Sequence, residues 1–218
     1  MNPDSIKAKR VLPPTGAKQL GPGDNFSSFP DHLRSLAKTI SELRTPEQID
    51  SILIDSCKTI PGFVRGSIYR GSRAGNTYHY KGYELFSGLR NYSDRYAQNI
   101  VLANELGLEC APEIASHITI KGETVTITHH KGCENQQYIP YNEVKDSVSL
   151  ESKQIFLKDI EIMIQNELMH DYVPHGTEHW FVNPTTGKIH LNSWESLTKI
   201  DQEMGKLAIS DVKELLGI

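Results

Sequence analysis

The stretch PHGTEHWFVNPTTGKIHLNSWESL, Pro174 to Leu197, holds two short apolar runs, WFV and KIHL, separated by Asn-Pro-Thr-Thr-Gly. Such runs around a Pro/Thr/Gly punctuation predict a hairpin that turns through Thr185-Thr186-Gly187. Chemistry-bearing side chains flank it: His175, Thr177, Glu178 and His179 ahead of the first run, Asn183 just after it, and Asn192 after the second. Upstream, Ser149 to His170 is the longest periodic segment, with Ile155, Phe156, Ile160, Met163, Ile164 and Leu168 marking one face, so a long amphipathic helix feeds the hairpin. Downstream, a last helix is predicted over Ile200 to Leu216.

Further toward the N-terminus the pattern changes twice. Residues 1–30 are rich in Pro, Gly and Ser with little apolar periodicity, and such a segment buries too little surface to offset its ordering entropy. It is read as a disordered leader. Leu33, Leu36, Ala37, Ile40 and Leu43 recur at helical spacing, and Thr45-Pro-Glu-Gln supplies an N-cap and N1 proline for a second helix reaching about Cys57. These two helices, 31–60, form an N-terminal cap on the rest of the chain. Phe63 to Glu84 alternates between glycines and suggests two or three short strands. A helix from about Ser93 to Leu106 comes next, ended by Gly107, and after it strands EIASHITI and TVTITHH joined at Lys121-Gly122.

With 218 residues and 38% hydrophobic content the chain can bury a real core, within the usual size of one domain or a small domain with an appendage. A net charge of −4 gives no electrostatic reason to expect nucleic acid or an anionic membrane as partner. Cys57, Cys110 and Cys133 make no CxxC pair and an odd number, against a disulfide framework or a structural zinc site. No run approaches the ~20 apolar residues of a membrane span, and the N-terminus lacks the apolar core of a Sec signal. The expected locations are therefore the cytoplasm, or export by a route without such a signal.

From about Phe63 to Leu197 the chain resembles kinase-fold proteins. The order strand, strand, strand, helix, strand, strand is that of a kinase N-lobe, and NTYHYKGYELFSGLRNYSDRYAQNIVLANELG is similar to the third strand and third helix of the small kinases that bacteria inject through type III secretion. LANELGLECAPEIASHITIKGETVTITHHKG also resembles small-molecule kinases of the aminoglycoside and choline type. The resemblance implies an α+β, minimal two-lobed fold, with an N-lobe over about 63–131, a hinge near Gly132 to Tyr141, and a reduced C-lobe over about 140–218. It also implies ATP and Mg²⁺ as cofactors and a host protein as substrate or partner, reached by secretion into host cytoplasm.

Carried over by residue, Lys81 matches the strand lysine that holds nucleotide phosphates, and Gln98 falls where the helix glutamate that pairs with it would stand. Gly71 and Gly75 lie in the region of the phosphate loop. Thr177 takes the place of the catalytic Asp, and its hydroxyl is too weak a base to accept a substrate proton at neutral pH. Glu178 and His179 could substitute for it. Asn183 and Asn192 are the candidate metal ligands, each offering an amide oxygen where Mg²⁺ normally receives carboxylate. The expectation is either an atypical protein kinase or a non-catalytic pseudokinase.

Two other chemistries fit parts of the pattern. His179 and Asn192 resemble the His and Asn of a papain-like cysteine protease or deamidase, whose thiol would have to be Cys57, Cys110 or Cys133. Arg70 in IYRG suggests an ADP-ribosyltransferase, with Glu134-Asn135-Gln136 standing for the acidic pair but lacking its second carboxylate.

Overall fold

A computed structural model describes residues 29–45, 47–65, 76–130, 138–171, 173, 176–192 and 194–218. Helices α1 (Asp31–Ser41) and α2 (Glu47–Thr59) precede strands β1 (Phe63–Arg65), β2 (Asn76–Tyr80) and β3 (Tyr83–Leu89). Helix α3 (Arg90–Glu105) then leads to β4 (Glu113–Ile120) and β5 (Glu123–His129). These five strands form one antiparallel sheet in the order β1-β2-β3-β5-β4. The class is α+β, with antiparallel pairing in every described sheet.

Period-two alternation sends the two faces of this sheet to different partners. Tyr83 and Leu85 of β3 and Val125 and Ile127 of β5 pack under Leu33, Leu36, Ile40, Ile49 and Leu53 of α1 and α2. The opposite face carries Glu84, Phe86, Thr124, Thr126 and Thr128, all buried. There Phe86 stacks on Tyr96 of α3 at 4.7 Å. Ser93 of α3 meets Thr126 at 2.8 Å, and His117 bridges Thr126 at 2.8 Å and Asp94 at 3.2 Å. Thr126 and Thr128 thus find partners on α3 and β4, whereas the buried Thr124 hydroxyl has none.

The second half holds β6 (Ile139–Pro140), α4 (Tyr141–Val144), α5 (Leu150–Gln165), β7 (Leu168–His170), β8 (Trp180–Val182), β9 (Ile189–Leu191), a 3₁₀ turn over Trp194–Ser196, β10 (Leu197–Lys199) and α6 (Gln202–Leu216). Ser149 caps α5 by accepting from Ser152 N, and Asp201 caps α6 by accepting from Met204 N. Phe156, Ile160 and Met163 of α5 join Trp180, Leu191, Trp194 and Val212 in a second core, which reaches Tyr96 and Ile100 on α3. Helix α3 therefore belongs to both halves.

The long periodic segment ends earlier than its pattern predicts. Helix α5 stops at Gln165, Glu167 turns the chain at φ +57°, and Leu168–His170 pairs with β10 instead of continuing the helix. A distant strand partner outweighs local helix propensity here. The hairpin through Thr185-Thr186-Gly187 forms as the sequence predicts, and so does the Lys121-Gly122 turn.

Helix α6 lies close on α5 through Gly205, where a Cβ would fall 2.5 Å from Cγ2 of Ile164. In an open helix Gly→Ala would stabilise by roughly 1 kcal/mol. Overpacking costs about 1–3 kcal/mol, so Gly205→Ala should lower unfolding free energy by about 1 kcal/mol. Urea denaturation should also show that Ile164→Ala reverses the sign of the Gly205→Ala effect.

Candidate functional site

The β8–β9 hairpin faces the end of the five-stranded sheet, and the predicted site residues gather unevenly around that junction. His179 precedes β8 by one residue, and Asn192 comes directly after β9. The backbone N–H of Asn192 donates to the His179 carbonyl at 3.2 Å, and His179 Nδ1 lies 3.1 Å from Asn192 Oδ1. Desolvation lowers the His179 pKa, opposed by the Asn192 bond and the nearby Glu178 charge. The ring is thus neutral at pH 7, with its tautomer set by the amide oxygen. Glu178 is exposed, and its carboxylate folds back over Gly176.

The other predictions are corrected by geometry. Lys81 is not on a strand: it is the first turn residue between β2 and β3, at φ +53°, and its Nζ rests 5.5 Å from the ring centroid of Tyr80. Gln98 is half-buried on α3, and the α3 side chain that meets Glu84 and Phe86 of β3 is Tyr96. Asn183 is fully buried, and its Oδ1 accepts from the N–H groups of Thr185 and Thr186, so it builds the hairpin turn and has no free face for a metal. Thr177 is buried with its hydroxyl on Asn142 Oδ1, a structural tie between α4 and the segment before β8. Gly71, Gly75, His175, Arg70, Cys133 and Glu134-Asn135-Gln136 lie outside the described residues.

A pair that the sequence motifs do not announce joins β3 to α3. Glu84 of β3, 5% exposed, accepts a hydrogen bond from the Tyr96 hydroxyl, and Thr128 Oγ1 stands 3.5 Å from the same phenol. Burial first, then the Glu84 charge, pushes the Tyr96 pKa well up. Its sequence signal is a lone carboxylate in the middle of an aromatic and aliphatic strand, YELF. Nearby, Arg95 and Asn99 of α3 donate to the carbonyls of Leu197 and Trp194, which fixes the segment after Asn192 to this helix. In that segment burial raises the Glu195 carboxyl to about 7, against its own backbone N–H and Arg95.

A row of rings occupies the junction itself. His79 of β2 approaches Phe181 of β8 at 6.2 Å, Phe181 approaches Tyr138 at 6.3 Å, Tyr138 meets His130 edge-on at 5.2 Å, and His130 lies 4.0 Å from His190 of β9. The Tyr138 hydroxyl donates to the Gly82 carbonyl at 2.7 Å and accepts from His130 N–H at 3.2 Å. At one end of the row a cleft of about 470 Å³ opens between Asn104, Glu113, Lys188 and His190. Among the described residues no three His, Cys, Asp or Glu side chains converge as metal ligands.

The thiols described are poor nucleophiles. Cys110 is buried, and desolvation and the adjacent Asp159 charge push its pKa well up. Cys57 sits on α2, its pKa raised by burial. No described helix is long and apolar enough to cross a membrane. No protein-family model matches the chain, and no curated protein matches its sequence.

Proposed function

We propose that the chain is a kinase-like binding protein that engages a partner without transferring phosphate. The sheet order, the single helix between β3 and β4, and the hairpin that sets His179 beside Asn192 support a reduced two-lobed kinase-like architecture. The observation that carries the non-catalytic reading is Glu84–Tyr96. A kinase places a lysine on the third strand, held by a helix glutamate, to neutralise the nucleotide phosphates. An acidic residue in that link repels them. Rings of His79, Phe181, Tyr138, His130 and His190 also take up space between the sheet and the hairpin. Neutral His179 and Asn192 supply less charge than Mg²⁺ requires.

On the resemblance to injected bacterial kinases, the partner is a host protein and the chain a secreted effector. ATP at about 1 mM, the top of the usual KM range, should leave its melting temperature unchanged with Mg²⁺ or Mn²⁺. No label from γ-phosphate-labelled ATP should enter the chain or a host extract. Saturable ATP binding, with incorporation that Asn192→Ala abolishes, would make the protein an active atypical kinase instead.

A further inference from the structure

The histidines of the junction lack hydrogen bonds that buried imidazoles ordinarily make. Nδ1 of His130 and both ring nitrogens of His190 are buried without a hydrogen-bond partner. The carbonyls of Glu109 and Cys110 approach His190 without reaching hydrogen-bond geometry. The two rings stand 4.0 Å apart, on the end of β5 and on β9, so they join the sheet to the hairpin. His79 adds a third imidazole from β2, in contact with Phe181. We propose that this row is an acid-operated latch: protonation of His130, His190 and His79 releases the β8–β9 hairpin from the end of the five-stranded sheet at the ring row, while α3, packed in the core shared with Trp180 and Leu191, keeps the two parts joined and each keeps its secondary structure. The latch rests on the junction alone and is independent of any kinase resemblance.

The charges facing the row decide the sign. His190 looks toward Lys188, which disfavours a second cation, and toward Glu109, which favours one but is already paired with Lys188. His130 faces His190 and His129, both able only to repel an imidazolium; Glu113 stands 3.9 Å from His129, not from His130. His79 has Glu84 at 3.8 Å, a carboxylate engaged by Tyr96. Desolvation holds His79 and His190 down at about 4, and His130 well below its ordinary value. Folded values below the unfolded one mean that the latch is fully closed above pH ~6.5 and loses stability as pH falls from there toward 4. Two like charges 4.0 Å apart cannot both form while the rings stay in contact, so opening is cooperative. The neighbouring cleft, lined by His130 and His190, gives water a route to both rings.

The test uses the full chain from pH 7 to 4, with fluorescence transfer between a label at the end of the sheet and one on the β8–β9 hairpin for separation and far-UV circular dichroism for secondary structure. Separation should occur with the dichroism retained, and the variants His130→Gln and His190→Gln should each lower its midpoint by about half a pH unit or more. Imidazole NMR of the unaltered chain guards against variants that fail to fold: His130 and His190 should take up protons together, below pH 6, in step with separation. Midpoints unmoved by either substitution, loss of dichroism in step with separation, or independent titration near 6.5 with the hairpin still seated on the sheet would each overturn the latch.

Discussion

Tyr96→Phe is expected to lower the unfolding free energy by about 3 kcal/mol, more than the loss of a hydroxyl from a neutral buried pair. The phenol donates to Glu84, a side chain 5% exposed on the inner face of β3. A hydrogen bond to a charged acceptor contributes roughly 1.5–3 kcal/mol, and leaving the acceptor under-satisfied adds its desolvation cost. The ring itself, stacked on Phe86 at 4.7 Å, is retained in phenylalanine, so packing loss is small. Removing the charge as well should recover most of the deficit: Glu84→Gln with Tyr96→Phe should lie within about 1 kcal/mol of the unaltered chain. Guanidinium denaturation of the two singles and the double gives the coupling energy. A Tyr96→Phe cost under about 1 kcal/mol would mean that Glu84 is neutral in the fold or held chiefly by other groups.

The strands and helices near this pair are legible in the sequence because their patterns are local. TVTITHH alternates so regularly that β5 falls with Val125 and Ile127 inward, and α5 announces itself by apolar spacing. Lys81 is misplaced by sequence reasoning although its signal is present. YHYKGYE repeats the Lys-Gly dipeptide of the β4–β5 turn, and both lysines adopt positive φ, 53° and 42°, before a glycine. Reading Lys81 as a strand residue lets a kinase-like match outrank turn chemistry. Asn183 misleads in the same way, since Asn-Pro-Thr-Thr-Gly is a turn whose amide oxygen the backbone consumes. Strand β7 is hidden because its partner, β10, lies 27 or more residues away along the pairing that ends at Leu197 and His170. The histidine row has no sequence signal at all: residues 79, 130 and 190 come from three separate strands or strand ends, and only the closed fold makes them neighbours.

Asp159→Ala should cost about 4 kcal/mol, because the carboxylate is the fastening between α5 and the loop after α3. It is 3% exposed, its Oδ2 accepts from Cys110 N–H at 2.7 Å, and the Glu109 N–H and the Cys110 thiol also hydrogen-bond to it. The same loop receives β9, since Leu191 N–H donates to the Cys110 carbonyl at 3.0 Å. Alanine would strand the buried Cys110 N–H, worth about 1–3 kcal/mol when unmet, take the acceptor from the Glu109 N–H, and leave a cavity beside them. The charge is a separate matter. Desolvation outweighs the hydrogen bonds and raises the Asp159 pKa, so ionisation weakens the fold as pH rises from 3.8 through that raised value. Asp159→Asn keeps an acceptor and removes this penalty, and at pH 7 it should cost less than about 1 kcal/mol. Equal losses for Ala and Asn in chemical denaturation would show that the charge, and not the acceptor, holds the loop.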